Sequence, residues 1–159
     1  MKIAQKDIDQ RLARFEEVCR NSGAKLTHQR MEIFREVVQT DEHPDVEKVF
    51  KGVRRRMPTV SMDTVYRTLW WLKDLGLVTM FGPPRDRARF DANLSRHHHF
   101  VCNRCGLTRD FYSDEFDSLE LPDSVLSIGR AERIQVEVKG LCLKCAAYKK
   151  PDEKNNEGR

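Results

Sequence analysis

Through the first eighty residues, apolar side chains recur at the spacing of helices rather than strands. In "LTHQRMEIFREVVQ", Ile33, Phe34, Val37 and Val38 fall on one face, and Thr27 ahead of them carries the hydroxyl of an N-cap. Leu26 and Met31 flank that cap at the spacing of a hydrophobic staple. An earlier helix is predicted over residues 6–21, interrupted by Gly23, and a third from Asp45 to a stop before Pro58. The fourth, "SMDTVYRTLWWLKDLG", has Ser61 as N-cap, a Val60/Val65 staple and Gly76 past its end. Val65, Leu69 and Leu72 line one face, and Asp63 and Arg67, flanked by Thr64 and Tyr66, take the other. The pattern then changes. "GLVTMFGPPRDRARFD" predicts two short strands around a Gly82-Pro83-Pro84 turn, with Arg85, Arg87 and Arg89 on the second limb. Beyond Asp91 come the strand-like "HHFVC", "TRDFYS" and "RIQVEVKGL", a short acidic helix near 114–120, and a polar tail.

This order predicts an α+β chain with a helical unit and basic hairpin over residues 1–90, a small α/β unit over 91–148, and a disordered tail over 149–159. Helices followed by a basic hairpin make a winged helix-turn-helix pattern, against the plainer reading of a helical domain with a charged hairpin. In the winged-helix reading the first turns of the fourth helix meet base edges in double-stranded DNA, through Ser61, Asp63, Thr64, Tyr66 and Arg67. Arg85 and Arg87 would reach phosphate or the minor groove. Trp70, Trp71 and Cys19 read as packing residues.

Charge supports this division. Residues 1–90 hold 18 Lys/Arg against 13 Asp/Glu, and residues 91–159 hold 11 against 12. A basic front half suits a polyanion. No apolar run approaches the roughly 18 residues of a membrane span. The start, "MKIAQKDIDQ", lacks the apolar core of a signal peptide, so a cytoplasmic location is expected.

Two C-x-x-C pairs, Cys102/Cys105 and Cys142/Cys145, stand 36 residues apart. In a cytosolic chain they read as one structural zinc site rather than a disulfide framework. Four thiolates close a tetrahedral shell and leave no position for substrate, and the alternatives are a redox dithiol or chance pairs.

"HHHFVC" adds a second donor set. On a strand His97 and His99 share a face and His98 looks the other way. Their partners must be nitrogen or oxygen donors, and Asp91, Asp110 and His43 are the candidates. Such a set suits ferrous iron or manganese, and zinc can also enter, although a surface histidine patch would look the same. No nucleophile, base or substrate-pocket motif accompanies the donors, so a hydrolytic metalloenzyme is a remote reading and the expectation is a non-enzyme.

"LTHQR", "HPDVEKVF", "SMDTVYRTLWWLKDLGLV", "RFD", "HHHFVCNRCG" and "CLKC" together resemble the successive motifs of the ferric uptake regulator (Fur) family, from about residue 20 to Cys145. The resemblance is greatest to its peroxide-sensing PerR branch. It implies a homodimeric metal-dependent repressor that binds a pseudo-palindromic, AT-rich DNA operator. It also implies a regulatory iron or manganese held by His43, Asp91, His97, His99 and Asp110, where iron-responsive members usually have glutamate at the last position. Peroxide would oxidise His43 or His97 and release the DNA. The further metal site of many iron-responsive members would need Arg96, His98 and Ile134, and two of these cannot ligate. The same-family alternative is a regulator of iron or zinc availability without peroxide sensing.

Overall fold

The computed structural model describes residues 3–82 and 88–148. Pro83, Pro84, Arg85, Arg87 and the tail from residue 149 therefore lie outside the described residues. The chain divides into two compact units, residues 1–95 and the part from Arg96 onward.

The first unit runs α1 (Gln5–Ser22), α2 (His28–Val38), α3 (Val46–Arg54), α4 (Met62–Asp74), β1 (Thr79–Phe81) and β2 (Arg89–Asp91). Each helix after the first begins on a side-chain cap. Thr27 Oγ1 accepts from the Arg30 N–H at 3.3 Å, Asp45 Oδ1 from Lys48 at 2.8 Å, and Ser61 Oγ from Thr64 at 3.1 Å. Gly23 and Gly76, both at φ 66°, turn the chain out of α1 and α4 in the left-handed region that glycine alone enters freely. The apolar stripes meet in one core, with Phe15, Ile33, Phe34, Val37, Val38, Val49, Val53, Val65, Leu69 and Leu72 fully or almost fully buried. Phe15 and Phe34 pack with ring centroids 4.9 Å apart. β1 and β2 pair antiparallel in the register Thr79–Asp91 and Met80–Phe90, forming the two-stranded wing.

The second unit contains β3 (His98–Cys102), β4 (Thr108–Phe111), α5 (Asp114–Asp117), α6 (Asp123–Leu126), β5 (Glu137–Gly140) and α7 (Leu143–Ala147). Its sheet has the order β4-β3-β5, antiparallel on one side of β3 and parallel on the other. The long strand that "RIQVEVKGL" predicts is shorter than its apolar run, since only Glu137–Gly140 enters the ladder. Among the described residues no helix is long and apolar enough to cross a membrane.

The two faces of α4 should differ sharply in stability measurements. Leu69→Ala, which opens a cavity in the core, should lower the unfolding free energy by about 2–5 kcal/mol. Arg67→Ala, on the exposed face, should change it by less than about 0.5 kcal/mol in the same urea titration.

Candidate metal centres and DNA-reading surface

The four cysteines of the second unit come together where β3 ends and α7 begins. Gly106, at φ 71°, turns the first knuckle back so that its N–H donates to the Cys102 carbonyl at 2.9 Å. Cys102 lies opposite Gly140 in the parallel ladder, and the Asn103 N–H donates to the Gly140 carbonyl at 2.8 Å. This register delivers Cys142 and Cys145 to the first pair. Every donor sulfur lies within 4.8 Å of the others, and Cys105 Sγ is 3.7 Å from Cys142 Sγ. A tetrahedral ion with metal–sulfur bonds of about 2.3 Å has sulfur–sulfur edges of about 3.8 Å. The residues present therefore fit a single ion bound by four thiolates, and none of the five cysteines forms a disulfide.

Protonation follows the same geometry. Hydrogen bonds from backbone amides, led by Cys142 N–H at 3.3 Å, pull the Cys102 thiol down to about 6. Cys145 is pushed up to about 12, chiefly by its hydrogen bond with Cys142 and then by burial.

The histidine donors sit close by in sequence but face elsewhere. In the second unit His97 Nε2 and His99 Nε2 are 3.0 Å apart. Asp110 Oδ1 lies 3.8 Å from the first and 3.5 Å from the second. The β3–β4 register puts Asp110 directly opposite His99, so the carboxylate and the imidazoles share a face. In the first unit His43 Nε2 is 3.6 Å from Asp91 Oδ2, and both residues are buried. Cis edges of an octahedral ion with bonds near 2.1 Å are about 3.0 Å. The His97–His99 separation therefore suits nitrogen donors of one first-row ion.

His43 is held in a costly backbone conformation. Its φ of 50° is left-handed, and no other described non-glycine residue has positive φ. The wing keeps it there. Arg89 Nη1 donates to the His43 carbonyl at 3.2 Å, and the Phe90 N–H donates to the Pro44 carbonyl at 3.0 Å. Arg89, expected on the DNA-facing limb with Arg85 and Arg87, thus fastens the His43 corner to the strand that carries Asp91. Sequence spacing gave no sign of this role.

Strand alternation excludes His98 from the donor face, as expected, but the side chain is far from idle. It is buried at 1% exposure, its Nδ1 accepts from the Val136 N–H at 3.2 Å, and its Nε2 lies 3.5 Å from Asp117 Oδ1. His98 therefore ties the chain entering β5 to β3. Ile134 and Arg96 line a small cavity beside Asp117, and neither side chain offers a metal-ligating atom.

On the first unit the N-terminal turns of α4 are exposed. Arg67 pairs with Asp63 at 2.6 Å, and Tyr66 stacks on Trp70 with centroids 4.2 Å apart. Trp70 in turn meets buried Phe90 edge-on at 5.2 Å, so it is the packing residue expected, with the added task of supporting Tyr66. A groove of about 550 Å³ beside α4 is lined by Thr64 and Arg67 together with Lys25 and Thr27 ahead of α2 and Gln29 and Arg30 in its first turn. Arg30 is held there over the Trp71 ring, 3.9 Å from its centroid. Lys25 and Arg30 are a contribution to this basic surface that helix periodicity alone does not reveal. Arg85 and Arg87 lie outside the described residues.

At pH 7 the uptake of a divalent ion by the four cysteines should displace protons, at least that of Cys145, so apparent affinity should rise with pH. Calorimetry in buffers of different ionisation enthalpy measures this directly. Binding heats that are independent of the buffer would show that the thiols are already ionised.

The profile of the ferric uptake regulator family matches residues 21–124. The peroxide-responsive repressor PerR of Staphylococcus epidermidis is 27% identical over 145 residues, covering 91% of this chain and 97% of the relative. Among solved structures, the ferric uptake regulator Fur of Helicobacter pylori aligns over 94% of this chain and 99% of its own, with a TM-score of 0.73 at 18% identity, a likeness of fold. A zinc-bound manganese uptake regulator aligns over 80% of this chain and 98% of its own, with a TM-score of 0.63 at 26% identity. The motif order, the fold and the profile match agree: the chain belongs to the ferric uptake regulator family, whose members are metal-responsive regulators of transcription.

Proposed function

We propose that this family member is a dimeric repressor whose grip on operator DNA depends on a regulatory ion and is released by peroxide. The observation that carries the reading is donor chemistry. His97, His99 and Asp110 converge in one unit, His43 faces Asp91 in the other, and neither group includes a thiolate. In this reading the five side chains share one ferrous or manganous ion, while the four cysteines hold a structural zinc. His43 and Asp91 come from the DNA-binding unit, so sharing an ion ties that unit to the other in one orientation. DNA favours the same orientation, and linkage makes the two binding events mutually favourable.

Ferrous iron held by these residues would act as a redox catalyst for cleavage of the peroxide O–O bond, with the imidazole as the net two-electron reductant. The chain supplies the target. An imidazole of His43 or His97 gains one oxygen atom, peroxide is reduced and one water is released. The oxidised ring is a poor donor, so the site loosens and DNA is freed. The resemblance to a peroxide-responsive repressor and the aspartate at position 110 support this branch. The likeness to a manganese uptake regulator favours a second reading, in which ion supply alone is the signal.

The dimer rests on surface chemistry. Tyr112, Ile128, Leu141 and Leu143 of the second unit are 66%, 87%, 52% and 91% exposed, a density of large apolar groups that a partner copy would cover. For the DNA contacts, Thr64, Tyr66 and Arg67 with Ser61 and Asp63 meet bases, while Arg85 and Arg87 reach phosphate or the minor groove.

Three outcomes are expected. Iron-loaded protein treated with peroxide should gain 16 Da on a peptide carrying His43 or His97, and manganese-loaded protein should not; gains confined to cysteines would refute peroxide sensing and leave the ion-supply reading. His43→Ala should weaken operator binding by roughly tenfold or more at fixed manganese, with unchanged zinc content; full affinity in a gel-shift titration would remove His43 from the regulatory set. Cys142→Ser should lose one zinc per chain by elemental analysis and the cooperative unfolding of the second unit, because metal binding and folding are coupled there.

A further inference from the structure

The basic run "KGVRRR" at the end of α3 leads into the turn before α4, and its last arginine is placed unlike a DNA-facing side chain. Arg56 Nε donates to Glu32 Oε2 at 2.6 Å, and its Nη2 donates to Glu36 Oε2 at 2.8 Å. Glu32 and Glu36 are one helical turn apart on α2, so their carboxylates present a matched pair to the guanidinium fork. Glu32 is 9% exposed and also forms an ion pair with Arg35, whose Nε lies 3.2 Å from its Oε1. α3 makes room for the arrangement at Gly52, where an added Cβ would overlap the Glu36 carboxylate. The turn itself continues through Met57, whose N–H donates to Val53 O, and through buried Val60 to Ser61, the cap of α4.

We propose that Arg56 is a positioning residue for DNA recognition: its guanidinium, gripped by Glu32 and Glu36, fixes the α3–α4 turn against α2 and so sets the angle at which the first turn of α4 meets the major groove. The proposal rests on the reading of α4 as the DNA-reading helix. A substitution by lysine is not conservative here, because a single ammonium does not span two carboxylates in the fork geometry.

Electrostatics and positioning make opposite predictions for the carboxylates. The Glu32→Gln/Glu36→Gln double variant removes two negative charges from a DNA-binding unit, which by long-range attraction alone should tighten binding. Positioning predicts instead that full-length, manganese-loaded double variant binds operator DNA roughly tenfold more weakly. Arg56→Gln should weaken binding similarly and leave the slope of log K against log salt unchanged. A direct phosphate contact would make that slope shallower by about 0.9. Exchanging the partners, Arg56→Glu with Glu36→Arg, should recover most of the affinity that Arg56→Glu loses.

Hydrogen exchange of the amides at Thr64 and Val65 reads the brace without DNA, and protection should fall in the double glutamine variant. Tighter binding by that variant, a shallower salt slope in Arg56→Gln, or unchanged amide protection would each overturn the proposal. Wild-type protein that binds no DNA would instead sink the repressor reading, with the exchange result still deciding whether the brace exists.

Discussion

The attraction of four thiolates for one divalent ion is the constraint on which the second unit depends. Among the described residues the main core cluster is drawn from residues 8–92, and the buried apolar residues beyond it are Cys102 and Cys142 themselves. A unit of this size without a large apolar core needs a staple. The cysteines supply it at the open end of the β3–β5 pair, where parallel strands have no short turn to hold them together. Once that end is fastened, β3 has a fixed position, and His97 and His99 ahead of it are carried by a rigid strand.

The first unit solves a different problem. Its core is ample, but His43 has to occupy a left-handed conformation that costs a non-glycine residue about 1–2 kcal/mol. Arg89 and the Phe90 amide hold the His43–Pro44 corner against β2, adjacent to Asp91. The return strand of the wing therefore fastens a candidate metal ligand. The aromatic series Tyr66–Trp70–Phe90 runs from the exposed face of α4 to that same return strand. The residues that would read DNA and those that would hold the ion are thus supported by a shared piece of packing.

The two donor sets are separated by hardness as much as by position. Soft thiolates collect at one end of β3 and borderline imidazoles with carboxylates at the other, although only two residues lie between His99 and Cys102. This partition makes possible a division between a permanent ion and an exchangeable one. The first would be closed by four protein ligands, and the second offers imidazole and carboxylate donors, which bind divalent ions less tightly than thiolates do.

Much of this was fixed by local rules. Capping residues, helical periodicity and the two C-x-x-C pairs located the helices, the exposed face of α4 and the four-cysteine site, because each depends on neighbours within a few positions or on an unmistakable donor type. Alternation along a strand likewise separated His97 and His99 from His98. Other features depend on register and packing between distant segments, which no local pattern encodes. The β3–β4 register decided that Asp110 stands opposite His99. The wing pairing decided that Arg89 would grip the His43 carbonyl. Tertiary packing also turned His98 into a tie for Val136, brought Lys25 and Arg30 to the groove beside α4, and closed Glu32 and Glu36 around Arg56. In each of these cases the side chain's task was set by the residue it met across space, and the sequence supplied only its chemical type.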